Sequence, residues 1–322
     1  MLRISIIGSG AWGSALGLTA HRAGSQVTMV GLPKDMSILK KTRQVPLTDG
    51  IKFPEDVDLS DTYDSLSQAN VVVIVVPAQD LRQCLTQIKP DLSPRAVVVV
   101  ASKGIEQQTN FFMGQVVKDV LSNPLCVLSG PNFAKEVIQN LPACTVVASE
   151  DALVAERVRE AFHHIHFRPY IGSDVIGVQV VGAVKNVLAI GCGIVRARGL
   201  GENAMAALVA RGLDEIKTLG VSKGADIETF LGLAGVGDVM LTCMSAQSRN
   251  FQLGLSLGRA DCVDSDFVNN QTVEGFYTVK ALKNLAQSEG IDMPVSDMIY
   301  HILYNGIGVT EAIEGLLNRP LK

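Results

Sequence analysis

Gly8-Ser9-Gly10-Ala11-Trp12-Gly13 stands directly after the apolar run Leu2–Ile7 and just ahead of Ser14–Arg22, whose alanines and leucines suit a helix. In a strand-turn-helix setting this spacing holds a dinucleotide: Gly8 permits the tight turn, Gly10 lets a pyrophosphate approach the backbone, and Gly13 lets helix and strand pack closely. The helix N-terminus then faces the phosphates. Lys185 lies near the middle of a segment that is apolar all round and should be buried. A buried ammonium is costly without a partner, so this lysine faces a cleft, sits in a structural ion pair, or snorkels along its stem to the surface. Lys103, in Ser102-Lys103-Gly104, comes just past the β-branched run Ala96–Ala101, at the carboxyl edge where doubly wound sheets place ligands.

Other stretches carry weaker signals. Gly130-Pro131-Asn132-Phe133-Ala134 follows another strand end and reads as a ligand-facing loop or an ordinary turn. Gly232-Leu233-Ala234-Gly235-Val236-Gly237-Asp238 is glycine-dense, and Ser248-Arg249-Asn250 follows soon after. An arginine between two small hydrogen-bonding residues suits a phosphate, or the triplet is a helix cap with a surface arginine. At the end of the second strand, Val30 is followed by Gly31, Leu32, Pro33 and Lys34, with no carboxylate before Asp35 to grip a ribose 2′-hydroxyl. Lys34 meets a 2′-phosphate or is simply solvated, so NAD and NADP both stay open. His163-His164-x-His166 has no carboxylate or cysteine at ligand spacing, and no metal is expected.

Positioning these residues requires an α/β fold. Leu2–Ile7, Gln26–Val30, Val71–Val76 and Ala96–Ala101 read as strands buried on both faces of a parallel sheet, with helices between them. Leu125–Ser129, Cys144–Ala148 and Phe167–Ile171 are further strand candidates, and Asp151–His164 reads as a helix. After Gly172 the spacing turns helical, over Asp174–Val195, Asn203–Leu219, Ala225–Leu231, Thr278–Gln287, Pro294–Tyr304 and Val309–Leu317. The expected architecture is an N-terminal doubly wound Rossmann sheet, residues 1–173, followed by an all-α C-terminal domain, residues 174–322.

Composition narrows the function classes. A 322-residue chain with 47% hydrophobic and 19% charged residues is folded, and its length favours two domains. A net charge of -4 without a basic run argues against a nucleic-acid partner. The six cysteines, without a C-x-x-C pair, read as reduced thiols of a cytoplasmic protein, and no secretory signal is visible. Val178–Val195 approaches membrane-like hydropathy but carries Gln179, Lys185 and Asn186, so a buried helix rather than a span is expected.

Together these motifs resemble the NAD(P)-dependent glycerol-3-phosphate dehydrogenase family. The resemblance runs from Ile4 to about Leu317, through Gly8–Gly13, Ser102-Lys103-Gly104, Ser129–Val137, Gly182–Asn186, Gly199–Asn203, Arg211-Gly212-Leu213, Gly232–Cys243, Gln247–Asn250 and Val273-Glu274-Gly275. It implies interconversion of sn-glycerol 3-phosphate and dihydroxyacetone phosphate, feeding phospholipid synthesis. By that resemblance Lys185 is the general base, with Lys103 beside it and Asp238 orienting or balancing the lysines. Lys103, Gly130, Asn132, Lys185, Asp238, Ser248, Arg249 and Asn250 match substrate positions. Gly8, Gly10, Ala11, Trp12, Gly13, Lys103, Ala134, Arg249, Thr272 and Glu274 match positions for NAD or NADP. Leu32 departs from the Arg or His of many members, and Asn132 replaces a common Ser or Thr. A homodimer is expected from such enzymes generally. The alternatives are a related two-domain hydroxy-acid or sugar-acid dehydrogenase and a non-catalytic dinucleotide sensor.

Overall fold

The structure, a computed structural model, describes residues 1–263 and 265–319. Chain contacts divide it into two compact units, Met1–Ser102 with Met113–Val175, and Lys103–Phe112 with Ile176–Lys322.

The first unit is built on one eight-stranded sheet: β1 (Arg3–Ile7), β2 (Gln26–Val30), β3 (Asp58–Ser60), β4 (Val71–Ile74), β5 (Val97–Val100), β6 (Leu125–Ser129), β7 (Ala143–Ala148) and β8 (Phe167–Gly172). The order is β3-β2-β1-β4-β5-β6-β7-β8. The reversal of strand order between β1 and β4 leaves a crevice beside the carboxyl end of β1, where the glycine loop begins. β4 and β5 read VVVI and VVVV and are buried at every position, because helices cover both faces of the sheet.

The sheet is not parallel throughout: β7 runs antiparallel to β6, and β8 parallel to β7. The only helix between β6 and β7, Ala134–Ile138, has five residues. At 1.5 Å per residue it advances about 7.5 Å, too little to retrace a strand of roughly 17 Å, so the chain re-enters the sheet from the end it has just left. The eleven-residue helix Ala152–Phe162 is long enough for a return crossover, and β8 is parallel to its predecessor. Asp151 caps that helix by accepting from the Leu153 backbone N–H at 2.8 Å.

The second unit is helical and is organised around Val175–Ala197, buried from Gly177 to Val195. By length and composition this helix passes as a membrane span, yet 94% of its most apolar stretch is buried against the rest of the protein, as expected for a core helix. Ile105 and Phe112 are buried in the same core, which is why Lys103–Phe112 packs with the helices although it follows β5 in the chain. Arg249–Ala260 is a helix that the sequence signals only through the cap alternative at Ser248; Gly254 and Gly258 interrupt its apolar face. Those glycines are contacts. A Cβ on Gly254 would lie 2.0 Å from the Ile190 carbonyl oxygen, and one on Gly193 would lie 2.1 Å from that of Phe251. Helices 175–197 and 249–260 therefore meet backbone to backbone.

Candidate functional site

Lys185 and Asp238 form the centre of the second unit. Lys185 sits on the core helix and is 5% exposed; Asp238, in the first turn of helix Asp238–Met244, is 1% exposed. The Lys185 ammonium donates to Asp238 Oδ1 and, at 3.0 Å, to the Thr242 hydroxyl. Lys103 donates to the other carboxylate oxygen, Oδ2, at 3.2 Å. Asp238 and Thr242 are four residues apart and share one helix face, so a single turn presents both to the lysine.

The electrostatics follow from burial. Desolvation pushes the Lys185 ammonium from its ordinary 10.5 down to about 7; the Asp238 carboxylate pulls it upward and the Lys103 charge pushes it down again. Burial opposes the charge on Asp238, but the two ammonium groups outweigh that penalty and hold its carboxyl below the usual range. The cluster thus contains an amine that exchanges a proton near neutrality, held in place by a permanent anion.

Ser248 is the N-cap of helix Arg249–Ala260, its hydroxyl oxygen accepting from the Phe251 backbone N–H at 3.3 Å. The hydroxyl proton is still available to donate. Arg249 is exposed over part of its surface, yet burial of its guanidinium lowers its pKa, opposed by the Glu274 charge. Asn250 is buried; it donates to Asn186 Oδ1 at 3.0 Å and accepts from the Gly275 backbone N–H at 2.9 Å. The triplet is a helix cap with an exposed arginine beside it. Thr272 is half-buried just ahead of helix Glu274–Glu289.

In the first unit the glycine loop has the shape its spacing predicts. Gly8 has φ +118°, and a Cβ there would lie 2.5 Å from the Val75 carbonyl oxygen. A Cβ on Gly13 would lie 1.9 Å from the Gly8 carbonyl oxygen. At Gly10, by contrast, nothing comes within 4 Å, and as N-cap of helix Ala11–Arg22 it has no side chain to satisfy the first-turn N–H groups. The Trp12 indole N–H is buried without a partner. Open space over Gly10, free amide donors and an orphaned indole N–H fit an anionic, hydrogen-bond-accepting dinucleotide. Ala134 and Trp12 pack against the same core.

Gly130 has φ +151°, with Thr145 Cα 3.0 Å from its would-be Cβ. Asn132 donates to the Cys144 carbonyl oxygen at 3.3 Å, while its own Oδ1 is buried without a partner. Leu32 is 71% exposed and Lys34 is exposed. The His163–His166 run has no ligand set: among the described residues no three of His, Cys, Asp and Glu gather to hold an ion.

The family model for the NAD-dependent glycerol-3-phosphate dehydrogenase N-terminus matches residues 3–155, and that for the C-terminus matches 174–314. A glycerol-3-phosphate dehydrogenase [NAD(P)+] of Rhodospirillum rubrum is 43% identical over 324 residues, covering 99% of this chain and 93% of its own length. The chain belongs to the NAD-dependent glycerol-3-phosphate dehydrogenase family. A Rhodopseudomonas palustris relative of the same name is 40% identical over 321 residues, covering 99% of this chain and 97% of its own. The crystal structure of glycerol-3-phosphate dehydrogenase from Coxiella burnetii superposes with a TM-score of 0.94 at 34% identity, covering 99% of each chain.

As a member of the glycerol-3-phosphate dehydrogenase family the chain is an NAD(P)-dependent oxidoreductase acting on a small phosphorylated substrate, glycerol 3-phosphate or dihydroxyacetone phosphate. Two residues that were given no site role hydrogen-bond to residues that were, Thr242 to Lys185 and Asn186 to Asn250. The signal for Thr242 was its four-residue spacing from Asp238, and for Asn186 a polar side chain beside Lys185 in an apolar segment.

Proposed function

We propose that Lys185 is the general base of glycerol 3-phosphate oxidation and, in reverse, the acid that protonates the ketone oxygen of dihydroxyacetone phosphate. The observation that carries this reading is the buried Lys103–Asp238–Lys185 cluster, in which an amine titrating at about 7 can both take and give a proton near neutral pH. In the oxidative direction neutral Lys185 takes the C2 hydroxyl proton while C2 loses hydride. Asp238 fixes the direction of the lysine, and Thr242 accepts one of its protons so that its lone pair or remaining proton is free for substrate. Lys103 contributes positive charge beside the oxygen on which negative charge develops.

Gly8, Gly10, Ala11, Trp12, Gly13 and Ala134 would hold the dinucleotide, with Lys103, Arg249, Thr272 and Glu274 also serving it. When bound, its nicotinamide accepts or supplies the hydride. Gly130, Asn132, Ser248, Arg249 and Asn250 would hold the substrate, the Arg249 guanidinium matching a phosphate through two parallel hydrogen bonds. Reduction of dihydroxyacetone phosphate yields the backbone of glycerophospholipids, which supports a role in phospholipid synthesis. All six cysteines are free, which fits a reducing cytoplasm. A homodimer accords with the commonest closed symmetry of soluble enzymes, and light scattering that returns only the monomer mass would refute it.

The deciding experiment is oxidation of NADH and of NADPH with dihydroxyacetone phosphate, using wild type and Lys185→Ala. Wild type is expected to turn over, and Lys185→Ala to lose about 10²-fold or more of kcat, the worth of a positioned acid or base. A wild type that binds NADH and reduces no dihydroxyacetone phosphate would overturn the reading, and full turnover by Lys185→Ala would overturn the assignment of the base.

A further inference from the structure

Four residues of the second unit form a hydrogen-bonded chain that runs in one direction. The Gly275 backbone N–H donates to Asn250 Oδ1 at 2.9 Å, Asn250 Nδ2 donates to Asn186 Oδ1 at 3.0 Å, and Asn186 Nδ2 donates to the Gly182 carbonyl oxygen at 3.3 Å. Because a backbone N–H only donates, it fixes which end of the Asn250 carboxamide faces it, and through Asn250 it fixes Asn186. Both carboxamides are buried, so a broken link strands a polar group. The chain starts in the first turn of helix Glu274–Glu289, whose N-cap Val273 supplies no side-chain cap. It ends on the turn of the core helix that carries Lys185. No side chain fits at its head: a Cβ on Gly275 would lie 2.5 Å from the Asn186 carbonyl oxygen and 2.8 Å from Asn250 Oδ1.

We propose that Gly275 and Asn186 are positioning residues through which dinucleotide held at Thr272 and Glu274 and substrate held at Arg249 and Asn250 strengthen each other's binding. The inference rests on the ligand assignments of the proposed function. Dinucleotide at Thr272 and Glu274 fixes the start of helix 274–289, and hence the Gly275 N–H. That donor sets the Asn250 carboxamide and, through Asn186, the turn bearing Lys185. Substrate binding at Asn250 orders the same groups from within the chain, so the cost of ordering them is met once for two ligands. By linkage, each ligand changes the other's affinity by one and the same factor.

Trp12 is the single tryptophan and lies in the glycine loop, so its fluorescence reports NADH binding. NADH and glycerol 3-phosphate are both reduced and cannot react together, which makes their ternary complex measurable. In wild type, saturating glycerol 3-phosphate is expected to tighten NADH by about fivefold or more. In Asn186→Ala and Gly275→Ala that factor is expected to fall to within about twofold of unity. If Gly275→Ala does not fold, Asn186→Ala, which leaves the backbone untouched, decides. A merely structural role would lower the melting temperature and leave the coupling factor intact. That result, or a wild type that binds both ligands without coupling, overturns the inference. A wild type that binds neither ligand instead overturns the proposed function.

Discussion

Lys103 and Lys185 divide the carboxylate of Asp238 between them, Lys185 on Oδ1 and Lys103 on Oδ2 at 3.2 Å. One anion thus faces two cations, and the sharing is unequal. The Lys103 side chain is 18% exposed and keeps part of its hydration, whereas that of Lys185 is 6% exposed and loses nearly all of it. Desolvation therefore falls on Lys185, which titrates near 7 with a fixed positive charge beside it.

The two directions of the reaction should have opposite pH dependence. Oxidation needs neutral Lys185, so kcat/KM for glycerol 3-phosphate should fall about tenfold per pH unit below a midpoint near 7. Reduction needs the ammonium, so kcat/KM for dihydroxyacetone phosphate should fall above the same midpoint. Initial rates from pH 5.5 to 9, at saturating dinucleotide, measure both limbs; a midpoint near the ordinary 10.5 of lysine would contradict the assignment.

Asp238→Asn keeps the shape and removes the anion. Asp238 is the group that raises the Lys185 pKa, so its loss leaves desolvation and Lys103 unopposed. The acid limb of oxidation should then move down by about one pH unit or more, and reduction at pH 7 should drop by about tenfold or more as the ammonium is depleted. The pH profile separates this from simple damage, because a misplaced but unperturbed lysine would lose rate without shifting its midpoint.

Much of this site was legible in the chain because burial and charge conflict so openly at Lys185: an ammonium inside an all-apolar helix requires a partner. The partner, Asp238, came only from the family resemblance and not from spacing. Asp238 lies 53 residues away, and only packing of the two helices brings it to the lysine. The turn of the glycine loop was legible, since its spacing is local and its geometry follows from steric contacts among Gly8, Gly13 and Val75. Of helix 249–260 only the cap at Ser248 was legible, because Gly254 and Gly258, poor helix formers in isolation, sit where the helix touches the core helix. The reversal at β7 depended on a connection length whose helix has no apolar repeat long enough to announce itself.

Glu215 should make stability depend on pH near neutrality. Its buried carboxyl accepts from the Val295 N–H at 2.6 Å, the Ser296 N–H at 3.1 Å and the Ser296 hydroxyl at 2.9 Å, capping helix Pro294–Tyr304 from 80 residues away. Burial nevertheless pushes its pKa from 4.5 up to about 7. The folded state then binds the proton more tightly than the unfolded chain. The contribution is complete below about 4.5 and is lost as pH rises through 7, in total about 3 kcal/mol. Melting temperatures of wild type and Glu215→Gln across pH 4.5–8 check this: the wild-type curve should fall more steeply. Parallel curves would show that Glu215 does not titrate there.

Gly10→Ala separates the fold from the ligand. Gly10 has φ -69° and nothing within 4 Å of a would-be Cβ, so alanine meets neither strain nor a clash. The melting temperature should be unchanged. The methyl group would stand where the loop leaves room for a pyrophosphate to approach the backbone, so the NADH Kd should rise by about tenfold or more, a loss of roughly 1.4 kcal/mol. Gly13→Ala should differ, because its Cβ would lie 1.9 Å from the Gly8 carbonyl oxygen and the turn itself must move. Thermal denaturation and Trp12 fluorescence titration, run on both variants, give the comparison. If Gly10→Ala binds NADH as wild type does, the pyrophosphate does not pass over Gly10 and the dinucleotide assignment of this loop is wrong.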